Sequence, residues 1–341
     1  MRSIQLVAPR TLEEREIPQA PDPGPGEVTV RLKAVGICGS DMHWYLEGGI
    51  GANRAKYPQI LGHEPAGEIV ALGKGVTHLH VGQKIALEPA IHCMRCEQCM
   101  AGRHNNCTNG SFMGSSGVPG LFLEYATVPA GNCDPVPDSF SYGQITMLEP
   151  LAVMVHVLEL VNIRVGDTVA VMGAGPIGML AATIAKLAGA SHVYIGDKIP
   201  HRLELAKKMG ADSAYDIKNF REAVKDHTRG RGVDVVIDAA AAVETINMGI
   251  DLTRVAGKYT LIGIPSEPEL NIDLNLAMNK EINLQMIKRS NCNGHAAIEL
   301  MKSGKVSDAM ITHNLPLEKT SHGFETLANY SEGVGKVVIT I

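Results

Sequence analysis

The stretch Thr168-Val169-Ala170-Val171-Met172-Gly173-Ala174-Gly175-Pro176-Ile177-Gly178-Met179-Leu180 decides the fold of the second half of this chain. An apolar run typical of a buried strand opens it, three glycines follow, and an apolar helical stretch closes it. In that order, the first glycine permits a tight turn, the second lets a pyrophosphate approach the backbone, and the third lets the helix pack on the strand. The helix N-terminus then offers unpaired N–H groups to the anion. The stretch therefore predicts a dinucleotide site formed by Gly173, Gly175, Pro176 and Gly178.

The chain that follows supports this prediction. Asp197 lies nineteen residues beyond Gly178, at the end of the next strand-like run, Val193 to Gly196. A carboxylate there can accept hydrogen bonds from the adenosine ribose and repel a 2'-phosphate, which favours NAD over NADP. The β-type runs Val233 to Ile237 and Lys258 to Ile262 alternate with helical stretches. This alternation predicts an α/β fold with a doubly wound parallel sheet, the Rossmann arrangement.

The first half of the chain contains a compact cysteine cluster. Cys93, Cys96, Cys99 and Cys107 are separated by two, two and seven residues, among polar residues typical of turns. Four thiolates can enclose one zinc ion in a tetrahedron that leaves no coordination position for a substrate. The spacing therefore predicts a structural zinc site that holds a loop together.

A second set of metal-ligand residue types is more dispersed. Cys38, His63 and Glu64 offer a thiolate, an imidazole and a carboxylate, the mixed three-ligand set of catalytic zinc. Each residue taken alone is equally compatible with an ordinary place in the core. Glu149, just before Pro150, adds a carboxylate that either completes the metal shell or holds a zinc-bound water.

Composition narrows the class of protein. The chain has 341 residues, is 45% hydrophobic and carries a formal net charge of -5, without the Lys and Arg clusters that nucleic-acid binding requires. No apolar run of signal-peptide or membrane-spanning length is present, so we expect a cytoplasmic protein without a membrane partner. The seven cysteines are an odd number, and four are crowded together, which favours reduced, metal-binding thiols over disulfides.

These motifs together resemble a known family, the zinc-dependent medium-chain dehydrogenases. The resemblance rests on Val35 to His43, Gly62-His63-Glu64, the cysteine cluster, Leu148 to Leu151 and Gly173 to Met179. It is nearest to the polyol branch that includes sorbitol (L-iditol) dehydrogenase, with threonine dehydrogenase next. It implies a GroES-like, mostly-β catalytic domain from residues 1–150 and 290–341, a Rossmann domain from residues 151–289, and a homotetramer.

The resemblance also implies a role for individual residues. It places the catalytic zinc on Cys38, His63 and Glu64, with Glu149 near the zinc-bound water. Ser40 would take the substrate proton, and His43 would relay that proton to solvent, a task that suits an imidazole. The positions that would contact the cofactor are Ile177, Asp197, Arg202, Ile262, Gly263 and Ile264.

The function that follows is hydride transfer from a secondary alcohol of a neutral polyol to NAD, with two zinc ions per subunit. Trp44 replaces a tyrosine of the sorbitol enzymes, and Lys288-Arg289 stands near an Arg-Tyr pair of theirs. Threonine-type amino alcohols, inositols and sugar-alcohol phosphates therefore stay open as substrates. Two other kinds of protein are alternatives: a zinc-ribbon interaction module, which would explain only the cysteine cluster, and a zinc-free quinone reductase, which would use neither ligand set.

Overall fold

The computed structural model describes residues 1–267 and 269–341. It divides into two compact units. The first unit contains Met1–Ala152, Ser290–Met301 and Ile311–Ile341, and the second contains Val153–Arg289 and Lys302–Met310.

The described residues form twenty strands. In chain order they are β1 Arg2–Ala8, β2 Thr11–Glu16, β3 Glu27–Gly36, β4 Gly49–Ile50, β5 Asn53–Arg54, β6 Gln59–Ile60, β7 Glu64–Leu72, β8 Lys84–Leu87, β9 Ala90–Ile91, β10 Ser111–Phe112, β11 Tyr125–Pro129, β12 Cys133–Pro135, β13 Thr168–Met172, β14 His192–Asp197, β15 Ser213–Asp216, β16 Val233–Asp238, β17 Thr253–Leu261, β18 Asn283–Met286, β19 Ile311–Pro316 and β20 Lys336–Thr340.

Eleven α-helices are described. They are α1 Gly39–Glu47, α2 Glu97–Met100, α3 Tyr142–Thr146, α4 Leu148–Val161, α5 Pro176–Leu187, α6 Pro200–Lys208, α7 Ile217–His227, α8 Val243–Leu252, α9 Leu274–Asn279, α10 Gly294–Lys302 and α11 Thr320–Ala328. Within the described ranges, none of these helices combines the length and the apolar character that crossing a bilayer requires.

The first unit is mostly β. Its main sheet has the order β12-β8-β7-β3-β20-β19, and β11 pairs with β3 as a seventh strand. The central strand β3 alternates buried apolar side chains, Val28, Val30 and Leu32, with more exposed ones, so that one face of the strand joins the core. The C-terminal strand β20 lies antiparallel to β3, with Val338 opposite Gly36, while β7 places Glu64 opposite Gly36 on the other side.

The second unit is the α/β part. Its six-stranded sheet has the order β15-β14-β13-β16-β17-β18, and every neighbouring pair is parallel. From β13 the chain first adds β14 and β15 on one side of the sheet. It then crosses to the other side of β13 and adds β16, β17 and β18. This is the doubly wound topology predicted from the alternation of strands and helices, and in such sheets ligands bind at the carboxyl ends of the strands where the order reverses, here beside β13.

One segment departs from the predicted domain division. Residues 302–310 group with the second unit, although the family resemblance implied that all of residues 290–341 belong to the first. The segment is a short connection between α10 and β19, so it carries too few residues to show a periodic pattern of its own. Helix α4 likewise continues across the predicted boundary at residue 150.

Candidate metal and cofactor sites

The four clustered cysteines form a preassembled metal-ligand set. Their sulfur atoms all lie within 4.8 Å of one another, and Cys96 Sγ is 3.9 Å from Cys107 Sγ. Zinc–sulfur bonds of about 2.3 Å in a tetrahedron require sulfur–sulfur separations of about 3.8 Å, so little adjustment is needed. Backbone N–H groups of Cys99 and Thr108 lower the pKa of the Cys96 thiol, which favours the thiolate that a metal requires.

The Cys38–His63 pair forms a second centre. Cys38 precedes the first turn of α1, and His63 immediately precedes β7. The Nε2 atom of His63 lies 3.2 Å from Ser40 Oγ, and Cys38 interacts electrostatically with the same ring. A thiol, an imidazole nitrogen and a hydroxyl therefore converge at the start of α1.

Asp41 orients this centre from behind. Its buried carboxylate accepts hydrogen bonds from the N–H groups of Cys38 (3.0 Å) and Gly62 (3.1 Å), and Oδ1 lies 3.3 Å from His63 Nδ1. Burial opposes ionisation of Asp41, but the charge of His63 and these N–H donors lower the pKa of Asp41. Burial also opposes a charged His63, while the carboxylate of Asp41 and the thiol of Cys38 raise the pKa of His63. Asp41 thus orients the ring from the Nδ1 side, and Nε2 faces Ser40.

Glu64 is held differently from Cys38 and His63. Its carboxylate forms a fully buried ion pair with the Lys336 ammonium group. Among the described residues, the four cysteines form a group of candidate ligands whose metal-binding atoms all lie within 4.8 Å of one another. Cys38, His63 and Glu64 do not lie that close together. The structure brings Cys38 and His63 together and directs Glu64 towards Lys336.

Glu149 lies in the first turn of α4 and interacts electrostatically with the same centre. Removal of its carboxyl group from water and the negative charges of Glu64 and Glu88 raise the pKa of Glu149 to about 8, against the opposing effect of His63 and Lys336. A carboxyl group with this pKa needs a nearby cation to be fully ionised at neutral pH. Glu149 therefore suits a metal ligand or a partner of a metal-bound water.

The other residues predicted around the substrate are on α1. His43 follows Ser40 by about one turn, and its Nδ1 atom lies 3.1 Å from Glu47 Oε1 while the side chain keeps partial exposure. Trp44 is buried in the hydrophobic core of the first unit. The position of Trp44 therefore does not distinguish between the substrate classes that the sequence leaves open.

The glycine turn has the geometry that its sequence requires. Gly173 has a φ of +91°, and a side chain on Gly178 would overlap the carbonyl of Gly173. Gly175 caps α5, whose first residue is Pro176. The Asp197 carboxylate accepts hydrogen bonds from the N–H groups of Ala174 (2.6 Å) and Ile199 (2.8 Å). Asp197 therefore braces the turn while each of its oxygens keeps a second lone pair.

The remaining cofactor candidates lie at neighbouring strand ends. Arg202 Nη1 lies 3.9 Å from the position that a Cβ of Gly175 would occupy, so this guanidinium reaches the turn. The N–H groups of Ile262 and Gly263 both donate to the carbonyl of Asp238 at the end of β16. Ile264 follows with a partly exposed side chain. These positions flank the carboxyl edge of the sheet beside β13.

Sequence reasoning missed Asp41 and Lys336. Asp41 stands three residues after Cys38 where a helix begins, a position typical of a capping carboxylate. Lys336 is the first residue of the apolar C-terminal strand Lys336-Val337-Val338-Ile339. Burying a lysine there without a partner would cost free energy of folding. Neither pattern identifies the partner, because the pairs join distant parts of the chain.

Known proteins are similar to this chain over almost its whole length. The family described as alcohol dehydrogenase GroES-like domain matches residues 24–138, and the family described as zinc-binding dehydrogenase matches residues 176–303. Sorbitol dehydrogenase of Bacillus subtilis (strain 168) is 34% identical over 342 aligned residues, covering 99% of this chain and 97% of that protein.

Solved structures agree with these matches. A zinc-binding dehydrogenase from Sinorhizobium meliloti 1021 bound to NADP has a TM-score of 0.90 at 29% identity, and the alignment covers 100% of this chain and 99% of that one. An E. coli CFT073 protein described as a short chain alcohol dehydrogenase, complexed with NADH, has a TM-score of 0.89 at 31% identity, with 100% and 99% coverage.

The doubly wound sheet, the glycine turn and these matches define an oxidoreductase of the dehydrogenase class. The chain belongs to the zinc-dependent alcohol dehydrogenase family, with a GroES-like domain and a Rossmann domain.

Proposed function

We propose that this enzyme transfers a hydride from a secondary alcohol of a neutral polyol to NAD and produces a ketose or ketone. The convergence of Cys38, His63 and Ser40 at the start of α1, with Asp41 behind the imidazole, is the observation that carries the proposal. The sorbitol dehydrogenase relative supports a polyol substrate.

Two zinc ions per subunit fit the residues present. Cys93, Cys96, Cys99 and Cys107 would hold the structural ion, since their sulfurs already approximate a tetrahedron. Cys38 and His63 would hold the catalytic ion together with a carboxylate, Glu64 or Glu149. Bound at these residues, a zinc ion would supply Lewis-acid polarisation of the substrate hydroxyl, and NAD would supply the hydride acceptor.

The proton leaves through residues of α1. Ser40, whose Oγ lies 3.2 Å from His63 Nε2, would accept the hydroxyl proton of the substrate while it passes its own proton, through the nicotinamide ribose, towards His43. His43, about one turn further along α1 and partly exposed, passes a proton to solvent, and Glu47 orients its ring at 3.1 Å. The reaction releases one proton for each hydride that leaves the carbinol carbon.

The turn around Asp197 supports NAD as the cofactor. Gly173, Gly175, Pro176, Ile177 and Gly178 would receive the pyrophosphate, and the Asp197 carboxylate would accept from the ribose hydroxyls and repel a 2'-phosphate. Arg202 near Gly175 and the Ile262-Gly263-Ile264 strand end would contact the remainder of the dinucleotide. One solved relative is bound to NADP and another to NADH. The test is therefore to measure the activity of this enzyme with NAD and with NADP under the same conditions.

A screen of NAD reduction across neutral polyols, inositols, amino alcohols and sugar-alcohol phosphates tests the substrate class. We expect the highest kcat/KM with a neutral polyol. Lys288 and Arg289 could instead grip a phosphate, as cations commonly do. The neutral-polyol proposal would be wrong if the wild-type enzyme prefers a phosphate ester over the corresponding neutral polyol and if Arg289→Ala loses only that preference.

Metal content separates this proposal from proteins of other classes. Two zinc ions per chain support the dehydrogenase, one supports an interaction module built on the cysteine cluster, and none supports a zinc-free reductase. The cytoplasm suits this enzyme, because its ligand thiols must stay reduced to bind metal.

A homotetramer completes the proposal. Strand β18 is the last strand at one edge of the parallel sheet, and its Leu284 and Met286 are 38% and 57% exposed. An edge strand with exposed apolar side chains favours pairing with a second copy. Sedimentation equilibrium should give four times the chain mass, and a monomeric mass would contradict this part of the proposal.

A further inference from the structure

Tyr45 is a buried tyrosine in the last turn of α1, the helix that carries Ser40 and His43. It retains 1% exposure, and its ring packs on Phe324 of α11 with 4.9 Å between the ring centroids. A hydroxyl group that is buried to this extent costs folding free energy unless it forms a hydrogen bond. The hydroxyl of Tyr45 therefore needs a partner inside the first unit.

The carboxylate of Glu325 on α11 is that partner. The Tyr45 hydroxyl donates to Glu325 Oε1 at 2.6 Å, a distance typical of a charge-assisted hydrogen bond. Glu325 Oε2 accepts from the side-chain amide of Asn329 at 3.2 Å, so each oxygen of the carboxylate has a donor. Burial and the hydrogen-bonded carboxylate of Glu325 raise the pKa of Tyr45, so its hydroxyl stays protonated and remains a donor at neutral pH.

The turn between β1 and β2 holds the same tyrosine from a second side. The N–H group of Arg10 donates to the carbonyl of Tyr45 at 2.7 Å, and the carbonyl oxygen of Arg10 lies 3.2 Å from the Tyr45 hydroxyl oxygen. Arg10 has a φ of +57°, which places a non-glycine residue in the left-handed region. Its guanidinium lies 3.4 Å from both carboxylate oxygens of Glu325. The last turn of α1 is thus fixed by α11 and by this turn together.

Helix geometry relates Tyr45 to the proposed proton path. Residues three positions apart share a face of an α-helix, whereas residues two positions apart point to nearly opposite sides. Ser40 and His43 therefore lie on one face of α1, and Tyr45 points away from that face. His43 keeps partial exposure, while Tyr45 is enclosed by the core. A rotation of α1 about its axis would move Ser40 and His43 together, and the contacts of Tyr45 oppose that rotation.

We propose that Tyr45, held by Glu325, is a positioning residue that sets the rotation of α1 and thereby aligns Ser40 and His43 for proton release. This inference rests on the proposed function, because it requires the proton path through Ser40 and His43. Tyr45 acts only through the helix, since its side chain faces the core. Proton transfer requires hydrogen-bond geometry, so a small displacement of the transferring groups slows the reaction.

A purely structural hydrogen bond would behave differently when it is removed. Tyr45→Phe deletes only the hydroxyl group and keeps the ring on Phe324. If the hydroxyl serves stability alone, its loss affects turnover to the same extent with or without His43. If it positions the proton path, its loss slows turnover only in an enzyme that uses that path. A double-mutant cycle with His43→Gln separates these two cases.

The experiment measures kcat of the zinc-loaded, full-length enzyme with saturating NAD and the best substrate of the screen described above. The proteins compared are wild type, Tyr45→Phe, His43→Gln and the double variant. We expect Tyr45→Phe to lower kcat about tenfold with little change in KM for NAD, and to cause no further loss in the His43→Gln background. The solvent deuterium isotope effect on kcat should rise in Tyr45→Phe, because proton transfer then limits turnover. Unchanged kcat in Tyr45→Phe, or an equal loss in both backgrounds, overturns the proposal.

Variants of the carboxylate and a matched tyrosine serve as controls. Glu325→Gln keeps an acceptor oxygen for Tyr45 and should retain the wild-type kcat, whereas Glu325→Ala should resemble Tyr45→Phe. Tyr142→Phe removes another tyrosine–glutamate hydrogen bond of the first unit, the one to Glu68, and should lower the melting temperature without changing kcat. A loss of kcat in Tyr142→Phe as large as that in Tyr45→Phe would attribute the effect to stability and overturn the proposal.

Hydrogen exchange supplies a measurement that does not depend on turnover. In the absence of substrate, the amides of α1 should exchange about fivefold faster in Tyr45→Phe than in wild type, because the helix loses one of its anchors. Glu325→Gln should exchange at the wild-type rate. Unchanged exchange in Tyr45→Phe overturns the positioning role alone, whereas unchanged kcat in His43→Gln overturns the proposed proton path and this inference with it.

Discussion

Asp41 Oδ1 lies 3.3 Å from His63 Nδ1, and both side chains are buried. The same carboxylate accepts N–H groups from Cys38 and Gly62, so one residue fixes the backbone on both sides of the candidate metal centre. The ion pair at Nδ1 leaves Nε2 to face Ser40. This relationship explains how a helix start and a strand start, twenty-odd residues apart, present one ligand set.

Replacing Asp41 tests that relationship. Asp41→Asn should weaken zinc binding at the Cys38–His63 centre by about 10- to 100-fold, because the amide holds the imidazole less firmly in the required tautomer. Competition with a chelator of known zinc affinity measures the change. Glu47→Gln is the control: it alters the partner of His43 on the same helix and should leave zinc affinity unchanged. Equal zinc affinity in Asp41→Asn and wild type would contradict the orienting role.

The two cysteine sets should fail in different ways. Cys38→Ser should abolish turnover with little change in melting temperature, because an open metal site contributes little to closing the chain. Cys99→Ser should lower the melting temperature, since its sulfur belongs to the cluster that holds the loop around α2. Thermal unfolding, zinc content and initial rates on the same preparations make the comparison. Full activity in Cys38→Ser with one zinc lost would show that the catalytic assignment is wrong.

Cofactor preference should depend on Asp197. Asp197→Ser removes the charge that repels a 2'-phosphate, so the ratio of kcat/KM for NAD to that for NADP should fall by at least about tenfold. Because Asp197 also accepts the N–H groups of Ala174 and Ile199, we expect a loss of stability as well. Asp197→Asn removes the charge but keeps one acceptor oxygen for the turn, so its comparison with Asp197→Ser helps to separate the charge effect from this bracing effect. A wild-type preference for NADP would refute the assignment.

Acid sensitivity should arise in part from Asp234 in the second unit. Burial opposes its ionisation, but hydrogen bonds from Arg231, Thr168 and Arg254 dominate and lower the pKa of Asp234. A carboxylate with a depressed folded-state pKa stabilises the fold above its unfolded-state pKa of about 3.9, and this contribution is lost as the pH falls towards the folded-state value.

Asp234→Asn should therefore lower the free energy of unfolding at pH 7 by on the order of 1–2 kcal/mol and reduce its decline below pH 4. Urea unfolding at several pH values measures both effects. Asp216→Asn, a change to an exposed helix cap in the same unit, is the matched control. An acid profile of Asp234→Asn parallel to that of wild type would show that Asp234 does not drive the pH dependence.

Prediction from sequence succeeded where neighbouring residues act together. The turn from Gly173 to Gly178 specifies its own backbone, because the positive φ and the close approach of Gly178 to Gly173 are local requirements. The doubly wound parallel sheet followed from the alternation of apolar strands and helices. The cysteine cluster was equally visible, since three of its four cysteines lie within seven residues. These features explain why the family and the two-domain fold could be predicted.

The sequence by itself determined the nucleotide-binding turn, the metal-ligand residue types and the class of enzyme, because each depends on chemistry encoded within a short stretch. Only the tertiary structure decided that Asp41 lies behind His63 and that Glu64 faces Lys336. The latter pair is separated by 272 positions in the chain and meets across β3 at Gly36. A contact of that kind depends on strand register and on the space that a neighbouring residue leaves, and neither quantity is local to the residues that use it.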